Sequence, residues 1–338
     1  MTGELIQLET SEVVVIPTPE TSQDTFDSDI DFPFRAVFYP LGYAVEIITN
    51  EPAVLEAASD SFCHTSLSRT STTLQVRIGV SEGGGPECPP EPTRHQYNHL
   101  FSMVANADNQ AILDLKRQIS FVWLQKATVD NRLYFRYNFL EKTIYLLLGS
   151  SVVTDLHAAC VSNNGKGILL CGDSGAGKST LAYACARAGW TYTSDDTSYL
   201  INGSEAPEVI GHAHRVRFRP AAKNLFPELE NYQLTQRLEG KPSLEIPTSE
   251  LPGIVTASET RVHAIVYLNR GLQGAGKLTL LPESTATQRA RKALCSVGEI
   301  RAKHEEILQI LSTIPTYELQ YCELDHAIYQ LDLLTKDV

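Results

Sequence analysis

The stretch that decides the fold is GILLCGDSGAGKSTLAYACARAGWTYTSDD, residues 167–196. A short apolar run, GILLC, leads into a glycine-rich loop, and the segment after the loop has helical periodicity up to Gly189. WTYTSDD then alternates like a strand and ends in two aspartates. The order strand, loop, helix, strand predicts an α/β domain whose chemistry lies at the carboxyl ends of the strands.

The loop itself matches the pattern G-x-x-x-x-G-K-[ST] in full. Its glycines allow backbone N–H groups to converge on phosphate oxygens, and the helix that begins at Lys178 adds the positive end of its dipole. We expect Lys178 to bridge the β- and γ-phosphates of ATP and the Ser179 hydroxyl to bind Mg²⁺. The predicted nucleotide-binding residues are Gly172, Asp173, Ser174, Gly175, Ala176, Gly177, Lys178, Ser179 and Thr180.

A second glycine-rich stretch, RGLQGAGKLTL from Arg270, resembles the first only in part. Leu278 replaces the hydroxyl that would bind the metal, and KLTLLPES alternates like a strand where a helix is needed. We therefore predict a β-hairpin with a glycine-rich tip and no phosphate site.

Asp195 and Asp196 come after Lys178 in the chain, at the end of the predicted strand that follows the loop helix. Because the carboxyl ends of neighbouring parallel strands meet at one edge of a sheet, we expect both carboxylates near the γ-phosphate. A carboxylate there can bind Mg²⁺ or accept the proton of an attacking hydroxyl. We assign the role of proton acceptor to Asp195 and that of metal ligand to Asp196, and the reverse assignment stays open. The alternative is an acidic turn that takes no part in chemistry.

At this point a family resemblance is visible. GDSGAGKS, the helix to Gly189 and the strand that ends in Asp-Asp resemble the catalytic domain of HPr kinase/phosphorylase and its HprK-like relatives. The resemblance is specific over residues 155–200 and looser to about 285. It implies a P-loop kinase domain related in fold to phosphoenolpyruvate carboxykinase, transfer of phosphate to a serine, and a histidine near the phosphates and the acidic pair. His157 stands in that histidine's position.

The chain departs from the family where a glutamate-arginine-glycine-leucine-glycine signature is absent. GHAHRVRFRP, residues 211–220, stands there instead, so the resemblance does not extend to HPr as the substrate or to phosphorolysis. On a strand, Arg215, Arg217 and Arg219 would share one face. Such a row suits a phosphate or a carboxylate of the substrate; a solvated strand face is the alternative.

Charge and composition divide the chain into three parts. Residues 1–32 hold eight of the 40 acidic residues and no Lys or Arg, which predicts a flexible acidic arm. The net charge is −12, so the remainder is close to neutral. Residues 33–150 predict a smaller α+β N-terminal domain of unknown role. Residues 151–338 predict the P-loop HprK-like kinase domain.

Several classes of protein are disfavoured by the same composition. The chain offers no basic surface of the kind that nucleic-acid binding needs. It has no apolar run of about 18 residues and no secretory signal pattern, so we expect no membrane segment and a cytoplasmic location. Seven scattered cysteines without a C-x-x-C pair fit reduced thiols there.

The leading hypothesis is an ATP-dependent kinase that transfers the γ-phosphoryl group to a hydroxyl and releases ADP. The acceptor is a carrier protein, a peptide under modification, or a small molecule such as free serine, and the sequence does not choose among them. A nucleotide-dependent regulatory switch and a plain ATPase are the alternatives. The resemblance also implies a homo-oligomer, since members of the family are often oligomeric.

Overall fold

The computed structural model describes residues 31–62, 69–83, 89–235, 242–271, 276–294, 296 and 298–336. All but the last two residues of the predicted acidic arm, and the glycine-rich tip at 272–275, lie outside the described residues. The chain divides into two compact units between Ser151 and Val152, and each is described by itself. None of the helices in the described ranges combines the length and the apolar character needed to cross a membrane.

The first unit is built on one seven-stranded mixed sheet. Its strands are β1 (Phe34–Phe38), β2 (Tyr43–Thr49), β3 (Arg69–Ser81), β4 (Thr93–Tyr97), β5 (Leu100–Asn106), β6 (Asn109–Asp114) and β7 (Ile119–Gln125). Its helices are α1 (Pro52–Phe62), α2 (Lys126–Asp130), α3 (Arg132–Phe135) and α4 (Glu141–Ser151). The strand order is β1-β2-β3-β7-β6-β5-β4. The pairs β2–β3 and β3–β7 are parallel, and the others are antiparallel.

Side-chain alternation explains the core of this unit. In β2 every second residue is buried, and Val45 and Ile47 are fully so. α1 buries Val54, Ala57 and Ala58, whose spacing of three and four residues places them on one face of the helix. The strand and the helix therefore contribute one apolar face each to a shared core.

The sequence RLYFRYNFLEKTIYLLLGS, residues 132–150, predicts one helix closed by Gly149, and this stretch is helical throughout. α3 passes into α4 through a π-helical turn at Arg136–Leu140. α4 continues past Gly149 to Ser151, so the glycine lies inside the last turn instead of ending it. The helix prediction is confirmed, with its end two residues later.

The second unit contains twelve strands and four helices among its described residues. Its strands are β8 (Val153–Leu156), β9 (Ala158–Asn163), β10 (Lys166–Cys171), β11 (Thr191–Ser194), β12 (Ser198–Ile201), β13 (Glu208–Gly211), β14 (Arg215–Phe218), β15 (Leu244–Pro247), β16 (Val255–Thr256), β17 (Glu259–Arg270), β18 (Lys277–Leu280) and β19 (Thr316–Tyr321). Its helices are α5 (Lys178–Arg187), α6 (Glu283–Lys292), α7 (Gly298–Ile307) and α8 (Leu324–Thr335). The mixed sheets and helices confirm the coarse part of the predicted fold class, a mixed α/β fold.

Ten of these strands form one mixed sheet, and β14 and β15 form a separate antiparallel pair. The main path is β16-β11-β9-β10-β17-β13-β12-β8, and β19 pairs with both β17 and β18. β10, β17 and β19 run parallel and adjacent. β9 runs antiparallel to β10 on one side and to β11 on the other.

Two short apolar runs flank Asn163-Asn164-Gly165, which predicts a β-hairpin, and this hairpin is present. The hairpin predicted at the second glycine-rich stretch is wrong. β9 and β10 pair through a two-residue turn in which Asn164 and Gly165 both have positive φ, as the Asn-Gly pair predicts. β17 and β18, predicted to form a hairpin, do not pair with each other, because β19 lies between them and pairs with both. A strand does follow the second glycine-rich stretch, as its alternation predicts.

The sheet of the second unit is covered on both faces. In β10, Ile168 and Leu170 pack with α5 and α8 on one face, while Leu169 and Cys171 pack with Leu308 and its neighbours on the other. Successive residues of a strand point to opposite faces, so a strand buried on both faces is a continuous apolar run. The run that leads into the glycine-rich loop is such a strand.

Candidate active site

The glycine-rich loop joins β10 to α5, and a left-handed residue caps the helix. Gly177 has φ 98° and precedes Lys178, and no side chain caps the helix. Since the first N–H groups of an α-helix have no acceptor within it, they are available to a ligand. The Ala176 N–H donates to the Asp173 carbonyl at 3.0 Å, which closes a turn within the loop. The loop and helix end together provide donors suited to a phosphate group.

Lys178 is the buried cation of this loop, with 6% of the residue exposed. Its Nζ donates to the carbonyl of Gly172 at 2.8 Å and to that of Asp173 at 3.4 Å. It also lies 3.0 Å from Nε2 of His157. Burial lowers the pKa of Lys178, while the charge of Asp196 acts in the opposite direction. The ammonium group is thus held by neutral acceptors and is not neutralised by a close carboxylate.

His157 connects the lysine to the acidic pair. Its Nδ1 lies 3.4 Å from Oδ1 of Asp196, and its Nε2 faces Lys178. Because a lysine ammonium can only donate, Nε2 accepts from it and the ring proton of a neutral imidazole is on Nδ1, facing Asp196. His157 therefore orients both groups at once, which accounts for a histidine at this position.

Three strands bring these residues to one edge of the sheet. Cys171 at the end of β10 pairs with Ala158 at the start of β9, and Ser194 at the end of β11 pairs with Cys160. Since β9 runs antiparallel to both strands, His157 lies between the loop after β10 and the aspartates after β11. The expectation that β10 and β11 are neighbours in a parallel sheet is wrong. They run in the same direction with β9 between them.

The two aspartates occupy different environments. Asp195 is buried, and its Oδ2 accepts the backbone N–H of Arg217 at 2.8 Å. Burial raises the pKa of Asp195 to about 6; the Arg217 N–H opposes this rise, and the neighbouring charge of Asp196 adds to it. The side chain of Asp196 is 47% exposed. Asp195 is therefore the carboxyl group whose pKa lies near neutrality, and Asp196 is the one that a solvated ligand reaches.

Ser179 lies on the first turn of α5, and its hydroxyl donates to the backbone carbonyl of Asp195 at 3.2 Å. Within the described ranges, no three His, Cys, Asp or Glu side chains form a group that could hold a metal by themselves. Mg²⁺ takes hard oxygen ligands and is commonly bound by one or two carboxylates together with substrate phosphates. The Ser179 hydroxyl and the Asp196 carboxylate fit Mg²⁺ bound together with a nucleotide.

The three arginines separate into a pair and a single residue. Nη1 of Arg215 lies 3.7 Å from Oε2 of Glu245, and Nε of Arg217 lies 3.1 Å from Oε1 of the same carboxylate. Arg215 and Arg217 share one face of β14, as the alternation predicts. β14 ends at Phe218, and Arg219 follows it with an extended backbone. Nη2 of Arg219 instead lies 3.5 Å from the hydroxyl of Ser174 in the glycine-rich loop.

Two tyrosines contact the site although neither belongs to a recognisable sequence motif. The Tyr192 hydroxyl donates to the carbonyl of Arg215 at 3.1 Å, and it lies close enough to Asp195 to lower the pKa of that carboxyl. The Tyr321 hydroxyl donates to the carbonyl of Ala176 at 3.2 Å. In the sequence both read as core residues of strands, and both are in fact buried. Their hydroxyl contacts depend on strands far apart in the chain, which periodicity does not record.

Tyr321 explains why the loop needs glycine at position 177. A Cβ on Gly177 would lie 2.7 Å from the Tyr321 hydroxyl, whereas a Cβ on Gly175, also left-handed, would meet nothing within 4 Å. We expect Gly175→Ala to lower the free energy of unfolding by about 1–2 kcal/mol, the cost of the left-handed backbone alone. Gly177→Ala should cost about 1–3 kcal/mol more because of the overpacking. Urea unfolding measures both values.

Removing the hydroxyl separates the two causes. In the Gly177→Ala background, Tyr321→Phe should recover part of the lost stability, because the atom in conflict is gone. In the Gly175→Ala background the same change should recover nothing. Equal costs for the two alanines, or no recovery, would show that Tyr321 does not constrain the loop.

Comparison with known proteins gives a distant structural relationship. No protein-family model matches the sequence, and no curated protein matches it. Among solved structures, the chain is similar to the HPr(Ser) kinase/phosphatase from Coxiella burnetii, at 12% sequence identity and a TM-score of 0.30. The match covers 53% of this chain and 90% of that chain.

Proposed function

We propose that the protein is an ATP-dependent phosphotransferase that moves the γ-phosphoryl group to a hydroxyl, as in HprK-like serine kinases. The observation that carries the proposal is the convergence of Lys178, His157 and the two aspartates. His157 contacts both Lys178 and Asp196, and the backbone of Asp195 contacts Ser179. A glycine-rich loop at a helix N-terminus, a buried lysine and a carboxylate of raised pKa are the groups that phosphoryl transfer requires.

In the proposed reaction, the acceptor oxygen forms a bond to the γ-phosphorus of ATP. The bond between that phosphorus and the oxygen bridging to the β-phosphorus breaks, and ADP leaves with the electron pair. The hydroxyl proton passes to the carboxylate of Asp195. Lys178 and the N–H groups of the loop hold the phosphates, and such transfer depends on positioning and charge more than on covalent chemistry. Mg²⁺ at Ser179 and Asp196 would offset phosphate charge.

The two aspartates are assigned by their environments. Asp195 has the raised pKa and lies against the backbone of Arg217, so it suits the proton. Asp196 is more exposed, and its Oδ1 lies 3.4 Å from Nδ1 of His157, so it suits the metal. His157 acts as a positioning residue for Lys178 and Asp196 in this scheme.

The class of acceptor is the open part of the proposal. A hydroxyl of a serine satisfies the chemistry whether it belongs to a protein, a peptide or a free amino acid. A switch or a plain ATPase would use the same nucleotide site without an acceptor. The products of the reaction distinguish these cases.

The test uses γ-labelled ATP and Mg²⁺ in a lysate of the native host, with wild type compared against Lys178→Ala. We expect a labelled protein, peptide or metabolite that forms only with wild type. Its size identifies the acceptor as a macromolecule or a small molecule, and stability of the label in acid identifies a phosphate ester of a hydroxyl. Labelled free phosphate alone, or nucleotide binding without turnover, would contradict the kinase and favour the ATPase or the switch.

A further inference from the structure

Arg219 differs from its two neighbours in what it contacts. Arg215 and Arg217 pair with Glu245, whereas Arg219 is exposed and, within the described part of the chain, has no carboxylate partner. Its Nη2 lies 3.5 Å from the Ser174 hydroxyl. A guanidinium at the rim of a phosphate loop, with its charge not neutralised, is placed to meet a phosphate.

The position of Ser174 shows which phosphate this is. Lys178 bonds the carbonyls of Gly172 and Asp173, so its ammonium lies against the first two residues of the loop. Ser174 is the next residue. Since the lysine of such a loop is expected to contact the β- and γ-phosphates, a nucleotide bound there would place the reacting end of its triphosphate beside Arg219.

The backbone contacts just before Arg219 also place this residue between the proposed base and the loop. Two residues earlier, the Arg217 N–H is bound to the carboxylate of Asp195. Residues 217–219 therefore run from the proposed base to the loop. In the proposed reaction the transferred group passes between these two points, because the acceptor lies at Asp195 and ADP remains on the loop.

We propose that Arg219 binds the γ-phosphoryl group of the nucleotide and offsets its charge during transfer. The inference rests on the proposed function and assigns Arg219 to the nucleotide side of the reaction instead of the acceptor side. A planar guanidinium offers two parallel N–H donors to phosphate oxygens, which a lysine ammonium does not. An arginine supplied within the same chain is one known way to stabilise this charge.

The test compares binding of ADP with binding of the non-hydrolysable β,γ-imido analogue of ATP, both with Mg²⁺, by calorimetry. We expect Arg219→Ala to weaken the analogue by about tenfold relative to ADP, since only the analogue carries the γ-group. Arg219→Lys should fall between wild type and alanine, because it keeps the charge and loses the paired donors. The rate of transfer or hydrolysis should fall about a hundredfold in Arg219→Ala, the cost of losing one group that stabilises charge in the transition state.

The control is Arg291→Ala on α6, where an exposed arginine lies 3.9 Å from Glu305. It should leave the ratio of the two affinities at the wild-type value. An unchanged ratio in Arg219→Ala would overturn the role of Arg219 while leaving the nucleotide site intact. Wild-type protein that binds neither nucleotide would overturn the proposed function, and the inference with it. If Arg219→Ala does not fold, Arg219→Lys decides by the same ratio.

Discussion

Lys178→Ala is expected to lower kcat/KM for ATP by about a thousandfold, and to weaken nucleotide binding measured by calorimetry. The reason is that the lysine supplies the buried positive charge against the loop, held by the carbonyls of Gly172 and Asp173. Losing one preorganised group that contacts the reacting charge in a water-poor site costs about 10²–10³ in rate, and loss of binding adds to it. The change also removes a partner of His157.

A second lysine of the same unit provides the matched control. Lys223 also donates to two backbone carbonyls, those of Glu230 at 2.9 Å and Tyr232 at 2.7 Å. Lys223→Ala therefore removes a similar set of hydrogen bonds without touching the loop. We expect it to leave ATP binding near the wild-type value. Equal losses in the two variants would mean that Lys178 supports the fold and does not bind phosphate.

The local parts of the site could be predicted from the sequence. The loop pattern, the apolar run before it and the helix after it are contiguous, so their geometry depends on neighbours in the chain. The turn at Asn164 and Gly165 was predictable for the same reason, because both residues tolerate positive φ. The effect of this turn on the site reaches beyond the turn itself. The turn folds β9 back beside β10, and this places His157 at the edge where the loop begins.

The order of strands in the sheet could not be predicted in the same way. β9 separates β10 from β11, and β19 separates β17 from β18, so segments close in sequence are not neighbours in the sheet. Strand pairing is settled by packing across the whole core, which a local pattern does not contain. The error at β18 left the conclusion about the second glycine-rich stretch unchanged, because a strand still follows it.

The sequence also could not predict which residues pair with the charged side chains. The alternation of Arg215, Arg217 and Arg219 predicts one face, but it does not show that Glu245 of β15 pairs with the first two. Nor does it show that Arg219 lies near Ser174. The sequence likewise could not separate Asp195 from Asp196. Their difference arises because β11 ends at Ser194, which leaves one carboxyl buried against β14 and the other half-exposed.

Asp195→Asn is expected to reduce transfer by about a thousandfold while ATP affinity stays within about twofold of wild type. Asparagine has the same shape, and its amide oxygen can still accept the Arg217 N–H, but it cannot take a proton. General base catalysis by a positioned carboxylate contributes about 10²–10⁴ in rate. Asp196→Asn is the companion variant, and it should instead raise the Mg²⁺ concentration needed for half-maximal rate. Undiminished transfer in a folded Asp195→Asn variant would exclude Asp195 as the base.

The pH dependence of the same two proteins gives an independent test. Since burial raises the pKa of Asp195 to about 6, wild-type kcat/KM should rise as the pH increases through about 6, and Asp195→Asn should lack this limb. The free energy of unfolding changes with pH in the opposite direction to kcat/KM. Between the usual pKa of 3.8 and about 6 the folded state binds more protons than the unfolded state, so the free energy of unfolding falls as the pH rises. At pH 7 the asparagine variant, which buries no charge there, should unfold at the same or higher urea concentration than wild type. A variant that is clearly less stable at pH 7 would mean that the Asp195 carboxylate supports the fold, and its loss of activity would then carry no information about catalysis.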